Sequence, residues 1–321
     1  MKIFFSFALL IAAVSASTIK TDTLSQDFID LINRKQSNWV AGRNFPENTT
    51  NEYLYKLNGF LGLHPDPNYK PKKVVHKVNL RDIPDTFDAR TKWPNCESLN
   101  RIRNQGACGS CWAFASVESM SDRICIHSSG STEFFFSAED LLSCCTSCGD
   151  CGGGYMMAAL DFYINQGLVS GGDVNSNEGC RPYTSDAFSD GDTPACSASC
   201  RSGYSKSYSA DKHYGSDDYV VSSDIDQIQY EVMTNGPLIV NFEVFQDFYN
   251  YKSGVYSYVS GNSVGYHVVK IVGWGTESGV PYWLIANSWG ADWGDHGFFK
   301  MRRGYNECGI EYNPYAVLPK L

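Results

Sequence analysis

Residues 105–115 read Gln-Gly-Ala-Cys-Gly-Ser-Cys-Trp-Ala-Phe-Ala, a glycine-rich turn followed by a helical run. The small residues 106–110 disfavour a helix and favour a turn. From Cys111 onward apolar residues recur at helical spacing, so we expect a helix to begin there with Ser110 near its N-cap. A helix N-terminus places partial positive charge near the sulfur and lowers the pKa of a thiol. Cys111 is therefore a candidate nucleophile.

Cys108 and Cys111 allow three interpretations. Both can be structural cysteines, they can form a redox C-x-x-C pair, or one can be a catalytic cysteine whose neighbour is held in a disulfide. The run from Cys108 to Trp112 resembles the C-G-[SA]-C-[WY] signature of papain-like peptidases. The glutamine that precedes the nucleophile in that family is present as Gln105. This third interpretation requires a histidine and an orienting partner elsewhere in the chain.

The composition limits the class of protein. The chain has 321 residues, 43% of them hydrophobic and 14% aromatic, which supports a sizeable folded core. Its formal net charge is −9 with no basic cluster, so nucleic acid is not an expected partner. All twelve cysteines lie between Cys96 and Cys308, which indicates an oxidising compartment. Their absence before Cys96 suggests that the front of the chain is a separate module.

The N-terminus has the pattern of a signal peptide, assigned to residues 1–16. Met-Lys is followed by an apolar run at 3–14 and by Ser-Ala at 15–16. This run is too short to span a membrane, and no later segment reaches about 18 apolar residues. We expect an exported protein without a membrane span, located in the secretory pathway, in a lysosome-like vacuole or outside the cell.

Residues 17–82 are polar and lack cysteine, with helical spacing of apolar residues around Phe28 and Leu54. Asn48-Thr-Thr50 is a glycosylation acceptor sequence. The stretch Trp39-Val-Ala-Gly-Arg-Asn-Phe45 resembles the propeptide of cathepsin B-type peptidases. That resemblance implies a propeptide that crosses the active-site cleft, inhibits the enzyme and is removed on activation.

Residues 83–321 resemble the cathepsin B-type peptidase domain, beginning with Asp85-Thr-Phe-Asp-Ala-Arg90. A helical half, about 83–205, precedes a β half, about 206–321. The runs typical of strands are 237–242, 268–272, 282–286 and 297–301. This order predicts an α+β, papain-like two-domain fold, with a barrel-like β half and the cleft between the halves.

His267 is the expected base. It directly precedes a predicted strand, 156 residues after Cys111, close to the roughly 130–150 residues typical of papain-like enzymes. Asn287 follows another strand, in the Asn-Ser-Trp sequence that carries the orienting asparagine of the family. The competing base is His296, in a glycine-flanked loop. Papain-like chemistry assigns proton transfer to His267, orientation of its ring to Asn287 and an oxyanion contact to Gln105.

The cysteines at 144, 145, 148 and 151 have spacing compatible with zinc, but a cysteine-rich exported chain favours disulfides. The cathepsin B pattern leaves Cys111 as the free nucleophile and Cys308 as a buried free thiol. It implies five bridges: Cys96–Cys125, Cys108–Cys151, Cys144–Cys196, Cys145–Cys148 and Cys180–Cys200. We expect no metal and no cofactor.

The family pattern also suggests the substrate contacts. Gly153 and Gly154 are expected to bind the peptide backbone, Tyr155 to wall the acyl-side pocket, and Trp289 to cover the catalytic asparagine on the leaving-group side. Asn313 replaces the acid with which cathepsin B accepts arginine in that pocket, so we expect a preference for apolar side chains.

Residues 181–195 correspond to the occluding loop of cathepsin B but contain no histidine and no cysteine. The family uses two histidines there to hold a substrate's C-terminal carboxylate, and Asp186, Asp190 and Asp192 would repel it. The sequence therefore predicts an endopeptidase. Tyr266, where the family often has glycine, adds bulk beside the base.

Two other classes are weighed against this one. A thiol oxidoreductase does not account for Gln105, His267 and Asn287 together. An inactive family member would ordinarily lack the cysteine or the histidine. The expected partners are protein and peptide substrates, the chain's own propeptide as inhibitor and cystatin-type inhibitors, and the expected state is a monomer.

Overall fold

A computed structural model describes residues 22–321. The predicted signal peptide, residues 1–16, lies outside the described residues. The α-helices are α1 (Gln26–Lys35), α2 (Asn51–Lys56), α3 (Ala89–Lys92), α4 (Cys111–His127), α5 (Ala138–Cys144), α6 (Met156–Gln166), α7 (Tyr208–Asp211) and α8 (Ile225–Asn235). None of the described helices is long and apolar enough to cross a membrane.

The strands form a large and a small sheet. They are β1 (Trp39–Ala41), β2 (Phe60–Gly62), β3 (Lys73–Val74), β4 (Phe87–Asp88), β5 (Gly149–Asp150), β6 (Gly153–Tyr155), β7 (Gly215–Val221), β8 (Leu238–Phe245), β9 (Tyr251–Tyr256), β10 (Ser263–Glu277), β11 (Val280–Ala286), β12 (Phe298–Arg302) and β13 (Tyr315–Pro319). The large sheet has the order β1-β9-β12-β11-β10-β8-β13-β7-β3, with β4 paired to β10. The small sheet has the order β2-β6-β5.

This architecture confirms the α+β class. Over residues 22–321 the large sheet does not close, because β1 and β3 occupy its two ends. The expected barrel-like half is therefore an open sheet. The division into halves is also less sharp than predicted: β4 lies within 83–205 yet pairs with β10, and α8 lies within 206–321.

Helix α4 is the buried core of the helical half. Every residue from Cys111 to Ile126 is buried. A helix that is buried all round needs neighbours on several sides, and α4 contacts β10, β13, α5 and α6. Its N-cap is Ser110, as expected, but the Ser110 hydroxyl pairs with the Tyr183 hydroxyl at 3.0 Å and caps no backbone N–H.

The front of the chain is not a separate module. Phe28 and Ile32 of α1 are buried in the same cluster as Tyr249 of the peptidase domain. Strand β1 pairs antiparallel with β9, and β3 pairs parallel with β7. The segment has too few apolar residues for a core of its own, so it buries them against residues 83–321.

Five disulfides are present, and their pairs are those implied by the family pattern: Cys96–Cys125, Cys108–Cys151, Cys144–Cys196, Cys145–Cys148 and Cys180–Cys200. The four closely spaced cysteines at 144–151 are thus all oxidised, which excludes them as zinc ligands. Because Cys108 is bonded to Cys151, it does not pair with Cys111. Cys111 and Cys308 are free, and Cys308 is half-buried rather than buried.

Candidate active site

Cys111 is the first residue of α4, and its side chain is completely buried. The Gly59 backbone N–H, from the front segment, donates to Cys111 Sγ at 3.2 Å. Burial raises the pKa of the Cys111 thiol to about 11, although the backbone N–H groups of Val268 and Gly59 favour the thiolate. The expectation that the helix N-terminus lowers this pKa is therefore wrong while the front segment covers Cys111. The loss of solvent raises the pKa by more than the partial positive charge of the helix N-terminus lowers it.

His267 and Asn287 form a hydrogen-bonded pair whose orientation can be assigned. Asn287 Oδ1 lies 2.7 Å from His267 Nε2 and also accepts the Ser288 backbone N–H at 2.8 Å. Since that N–H can only donate, the atom facing His267 is the amide oxygen. His267 Nε2 therefore carries a proton. Among the described residues, Nδ1 has no hydrogen-bond partner, so it is available as a proton acceptor.

The imidazole is held neutral in this state. Burial lowers the pKa of His267 to about 4, against the Asn287 hydrogen bond and the backbone of Leu57, both of which favour the protonated form. Strand β10 carries His267, and the next residue, Val268, packs in the same apolar cluster as Cys111. His296 is exposed in the turn between Asp295 and Phe298, with a φ of 53°, and does not replace His267 beside Asn287.

Trp289 covers the histidine. Its ring centroid lies 4.7 Å from that of His267, and it stacks on Tyr249 at 5.4 Å with an interplanar angle of 15°. Its exposed fraction is 6%. Because water competes for polar groups, this cover strengthens the His267–Asn287 hydrogen bond.

Gln105 presents its amide N–H₂ to a carbonyl oxygen of the front segment. Its Nε2 donates to Leu57 O at 3.0 Å and to Cys108 O at 2.8 Å. Its Oε1 accepts from Ser288 Oγ at 2.8 Å, which fixes the amide orientation. One Gln105 N–H is thus directed at a carbonyl only two residues from Gly59, whose N–H contacts the nucleophile. A carbonyl placed there would have a donor ready for developing negative charge.

The glycines at 153 and 154 also contact the front segment. Strand β6 pairs parallel with β2, in the register Phe60↔Gly154, and the Gly154 N–H donates to Gly59 O at 2.8 Å. A Cβ at Gly154 would come 2.5 Å from the Trp112 ring, so only glycine fits between β2 and that ring. Tyr155 ends β6 and is half-buried.

Asn313 is half-buried beside the side chain of Tyr315. The Tyr315 hydroxyl donates to Asn241 Oδ1 at 3.0 Å. No sequence reasoning identified Asn241 or Tyr315. The alternation of strands β8 and β13 indicates which of their residues share a face, but their pairing is a long-range contact.

Four further residues at the site were not predicted from the sequence. Leu57, Asn58 and Gly59 place the front segment in the cleft, where Asn58 Nδ2 donates to Tyr249 Oη at 2.7 Å. The Asn-Gly dipeptide, a common turn signal, was the available hint. Ser288 holds Gln105, and it lies within the Asn-Ser-Trp sequence already singled out.

Comparison with known proteins identifies the class. A "Papain family cysteine protease" profile matches residues 83–318, and a "Peptidase family C1 propeptide" profile matches residues 24–64. The chain belongs to the papain family of cysteine proteases. Since the second profile covers the segment in the cleft, that segment is a propeptide and the chain is a zymogen.

Individual relatives narrow the resemblance to the cathepsin B type. Cathepsin B-like cysteine proteinase 4 of Caenorhabditis elegans is 43% identical over 335 residues, covering 98% of this chain and 98% of that protein. Cathepsin B-like cysteine proteinase 5 of the same organism is 43% identical over 342 residues, again covering 98% of each. The predicted cathepsin B-like character is confirmed.

Solved structures agree. The structure of "proCathepsin B S9 from Trypanosoma congolense" has a TM-score of 0.81 and 33% identity, covering 94% of this chain and 99% of that chain. Digestive procathepsin L2 proteinase from Tenebrio molitor has a TM-score of 0.70 at 24% identity, which supports the fold alone.

The substitution Gly59→Ala should weaken the binding of the propeptide in the cleft. A Cβ at this position would lie 1.7 Å from the carbonyl oxygen of Gly109, so the backbone must move away from Cys111. Loss of the two Gly59 hydrogen bonds costs about 1–3 kcal/mol, which exposes the site roughly 5- to 150-fold more often. The measurement is the rate of active-site titration of unprocessed zymogen at neutral pH.

Gly42→Ala is the matched control, because its Cβ would meet only the flexible Lys252 side chain. We expect Gly42→Ala to titrate like wild type. Equal titration rates for Gly59→Ala and wild type would contradict the claim that Gly59 holds the propeptide over Cys111.

The propeptide should be held most tightly between about pH 6.5 and 9. The lowered pKa of His267 means that the covered state resists protonation, so it loses stability as pH falls from 6.5 towards about 4. The raised pKa of Cys111 means that the covered state also loses stability above about 9. Each pH unit beyond these limits should raise the fraction of molecules with an exposed site at most about tenfold.

A disulfide reagent that reacts in acid, followed by peptide mapping, measures this as the labelling rate of Cys111 in the zymogen. The variant His267→Asn should lose the acid-induced increase. An unchanged acid response in that variant would assign the effect to another group.

Proposed function

We propose that the mature enzyme hydrolyses peptide bonds with Cys111 as nucleophile, His267 as base, Asn287 as the residue that orients the base, and Gln105 as an oxyanion donor. The observation that carries the proposal is the assigned tautomer of His267. With the proton on Nε2 and Asn287 Oδ1 as its acceptor, Nδ1 is free to receive the thiol proton.

The chemistry follows from this arrangement. The Cys111 proton moves to His267 Nδ1, and the thiolate attacks the carbonyl carbon of the substrate. The oxyanion is bound by Gln105 Nε2 and the Cys111 backbone N–H. His267 then gives its proton to the leaving amine as the C–N bond breaks, which leaves a thioester. Water, deprotonated by His267, attacks the thioester and releases the carboxylic acid and the free thiol.

Burial of both groups explains why the zymogen is inactive. With the thiol pKa raised and the imidazole pKa lowered, the covered pair is neutral across the physiological range. Removing the propeptide readmits water, which lowers the cost of the thiolate–imidazolium pair. The propeptide thus inhibits in two ways: it fills the cleft, and it excludes water from Cys111 and His267.

Substitution of Gln105 tests the proposed roles. Gln105→Glu keeps the shape but removes the N–H donors, and we expect kcat to fall about 10²–10³-fold with little change in KM. Ser288→Ala is the matched control, because it removes only the hydrogen bond that orients Gln105, and its effect should be smaller. Cys111→Ala should lose more than about 10⁴-fold.

Steady-state kinetics on a fluorogenic peptide, normalised to folded protein, provides the measurement. Activity within about threefold of wild type for Cys111→Ala would refute the nucleophile, and the same for Gln105→Glu would refute the oxyanion role.

The turn that replaces the occluding loop supports endopeptidase activity. Residues Asp186–Asp190 form a π-helical turn that lies against the nucleophile turn, with the Ala107 N–H donating to Phe188 O at 2.7 Å. Thr193 Oγ1 accepts the Cys151 N–H at 2.9 Å, which holds the second end. On this side the propeptide itself is the cover, since Lys56 Nζ donates to Gly191 O at 3.1 Å. Once it leaves, a longer chain has room to continue.

The endopeptidase proposal predicts that a substrate's C-terminal charge matters little. We compare kcat/KM for one internally quenched peptide with a free C-terminal carboxylate and with a C-terminal amide. The two values should agree within about threefold, with any bias towards the amide because of the nearby Asp186, Asp190 and Asp192. Their triple exchange to asparagine is the control and should remove that bias. A strong preference for the free carboxylate, with release of C-terminal dipeptides, would contradict the proposal.

The uncharged side chain of Asn313, beside Tyr315, supports a preference for apolar side chains in the acyl-side pocket walled by Tyr155. The substitution Asn313→Glu should raise kcat/KM for arginine relative to leucine at that substrate position about tenfold or more, through a charge-assisted hydrogen bond. Asn313→Gln is the matched neutral control. The measurement is a paired-peptide assay, and fastest cleavage of the arginine peptide by wild type would overturn the assignment.

The five disulfides support folding in an oxidising compartment. We place the enzyme in the secretory pathway, with a lysosome-like vacuole or the extracellular space as its destination. Asn48 is exposed, as a glycosylated residue must be. Cystatin-type proteins, which would enter the cleft vacated by the propeptide, are the proposed external inhibitors.

A further inference from the structure

A charged side chain crosses the interface between the two halves below the active site. Lys270 lies on β10, three residues after His267, and its side chain is completely buried. Alternate residues of a strand face opposite sides, so Lys270 shares the face of Val268. Val268 packs in the apolar cluster that contains Cys111, which places Lys270 on the side of β10 that meets α4.

The partners of Lys270 lie on the helix that carries the nucleophile. Cys111, Glu118 and Asp122 are separated by seven and four residues, which puts them on one face of α4. Lys270 Nζ lies 2.6 Å from Asp122 Oδ2 and 3.6 Å from Glu118 Oε2. Both carboxylates are buried, with exposed fractions of 0% and 6%. The strand of the base and the helix of the nucleophile are thus joined by buried charges.

The buried charges make the contact between β10 and α4 sensitive to the distance between these two elements. Burial raises the pKa of Glu118 to about 7, although Lys270 and Arg103 favour its ionised form; the negative charges of Asp122 and Asp173 raise it further. Burial also raises the pKa of Asp122, against Lys270. An unpaired ammonium or carboxylate is costly in this apolar interior, whereas a close pair is tolerated. Any shift of α4 away from β10 would therefore separate charges that have no access to water.

We propose that Lys270, through Asp122 and Glu118, is a positioning residue that sets the separation of Cys111 Sγ and His267 Nδ1. It touches neither the substrate nor the reacting atoms. The inference rests on the proposed function, in which those two atoms exchange a proton. A larger or variable separation weakens the attraction between thiolate and imidazolium, so the reactive ion pair forms less readily.

The test compares Lys270→Met with wild type, each activated from the full chain. Three quantities are measured: the pH dependence of Cys111 alkylation by iodoacetamide, kcat and KM on one fluorogenic peptide, and thermal unfolding. We expect the acid limb of the alkylation profile to move up by about one pH unit, with an alkylation rate at about pH 5 roughly tenfold lower. kcat should fall about tenfold or more, while KM stays within about threefold.

Two further variants separate positioning from general stability. Lys270→Arg keeps the charge and should restore the alkylation profile to near wild type. Lys300→Met is the matched control: it breaks the pair of Lys300 with Glu277 at 2.5 Å, which lies on the same sheet but is not buried with α4. It should leave the alkylation profile and kcat unchanged.

The outcomes are distinct. A Lys270→Met enzyme with a lower unfolding temperature but a wild-type alkylation profile and kcat would overturn the inference and leave the proposed function intact. Full activity of Cys111→Ala would instead overturn the proposed function. If Lys270→Met does not fold, the double variant Lys270→Met/Asp122→Asn is used, because it removes both charges of the closest pair. The same change in its alkylation profile would support the inference. A wild-type alkylation profile would overturn it.

Discussion

One hydrogen bond, from His267 Nε2 to Asn287 Oδ1, is the interaction on which the proposed catalytic site depends. It sets the tautomer, because the same oxygen already accepts the Ser288 N–H. The hydrogen bond also sets the plane of the His267 ring, and Trp289 packs on that ring and excludes water from the hydrogen bond. The two residues come from different strands, β10 and the end of β11, so the hydrogen bond is only as well placed as the sheet that carries them.

The propeptide occupies the groups that the proposed mechanism assigns to the substrate. Gln105 donates to Leu57 O, Cys111 accepts from the Gly59 N–H, and Gly154 donates to Gly59 O. Away from the cleft, β1 and β3 add to opposite ends of the large sheet. In the proposed function, inhibition therefore does not depend on one contact. It depends on the whole front segment, whose strands β1 and β3 lie at opposite ends of the large sheet and which deprives Cys111 and His267 of solvent.

The sequence was sufficient for the class of fold and for the family. The match at 105–115, the spacing to His267 and the Asn-Ser-Trp sequence identified a papain-like peptidase. The resemblances at 39–45 and from Asp85 onward added the cathepsin B type. The runs expected as strands became parts of β8, β10, β11 and β12, because alternation and β-branched residues are local signals. The helix beginning at Cys111 was also predicted, since glycine and serine end the preceding turn.

The remaining features arise from contacts that no local pattern contains. The pairing of β2 with β6 and of β3 with β7 joins segments far apart in the chain, and it made a seemingly separate module part of the domain. The pKa of Cys111 moved opposite to expectation because burial by Gly59 and its neighbours is a tertiary effect. The contact of Lys270 with Asp122 likewise joins residues 148 positions apart, so no local pattern contains it.

The most direct test of the central claim is mass-spectrometric mapping of a peptidyl-epoxide inhibitor on the zymogen and on the processed enzyme. The claim is that one buried thiol, paired with His267 and covered by the propeptide, performs the chemistry. It predicts one adduct per processed molecule, on Cys111, and none on the zymogen at neutral pH. Labelling of Cys308 in place of Cys111, or no adduct on a folded processed enzyme, would contradict it.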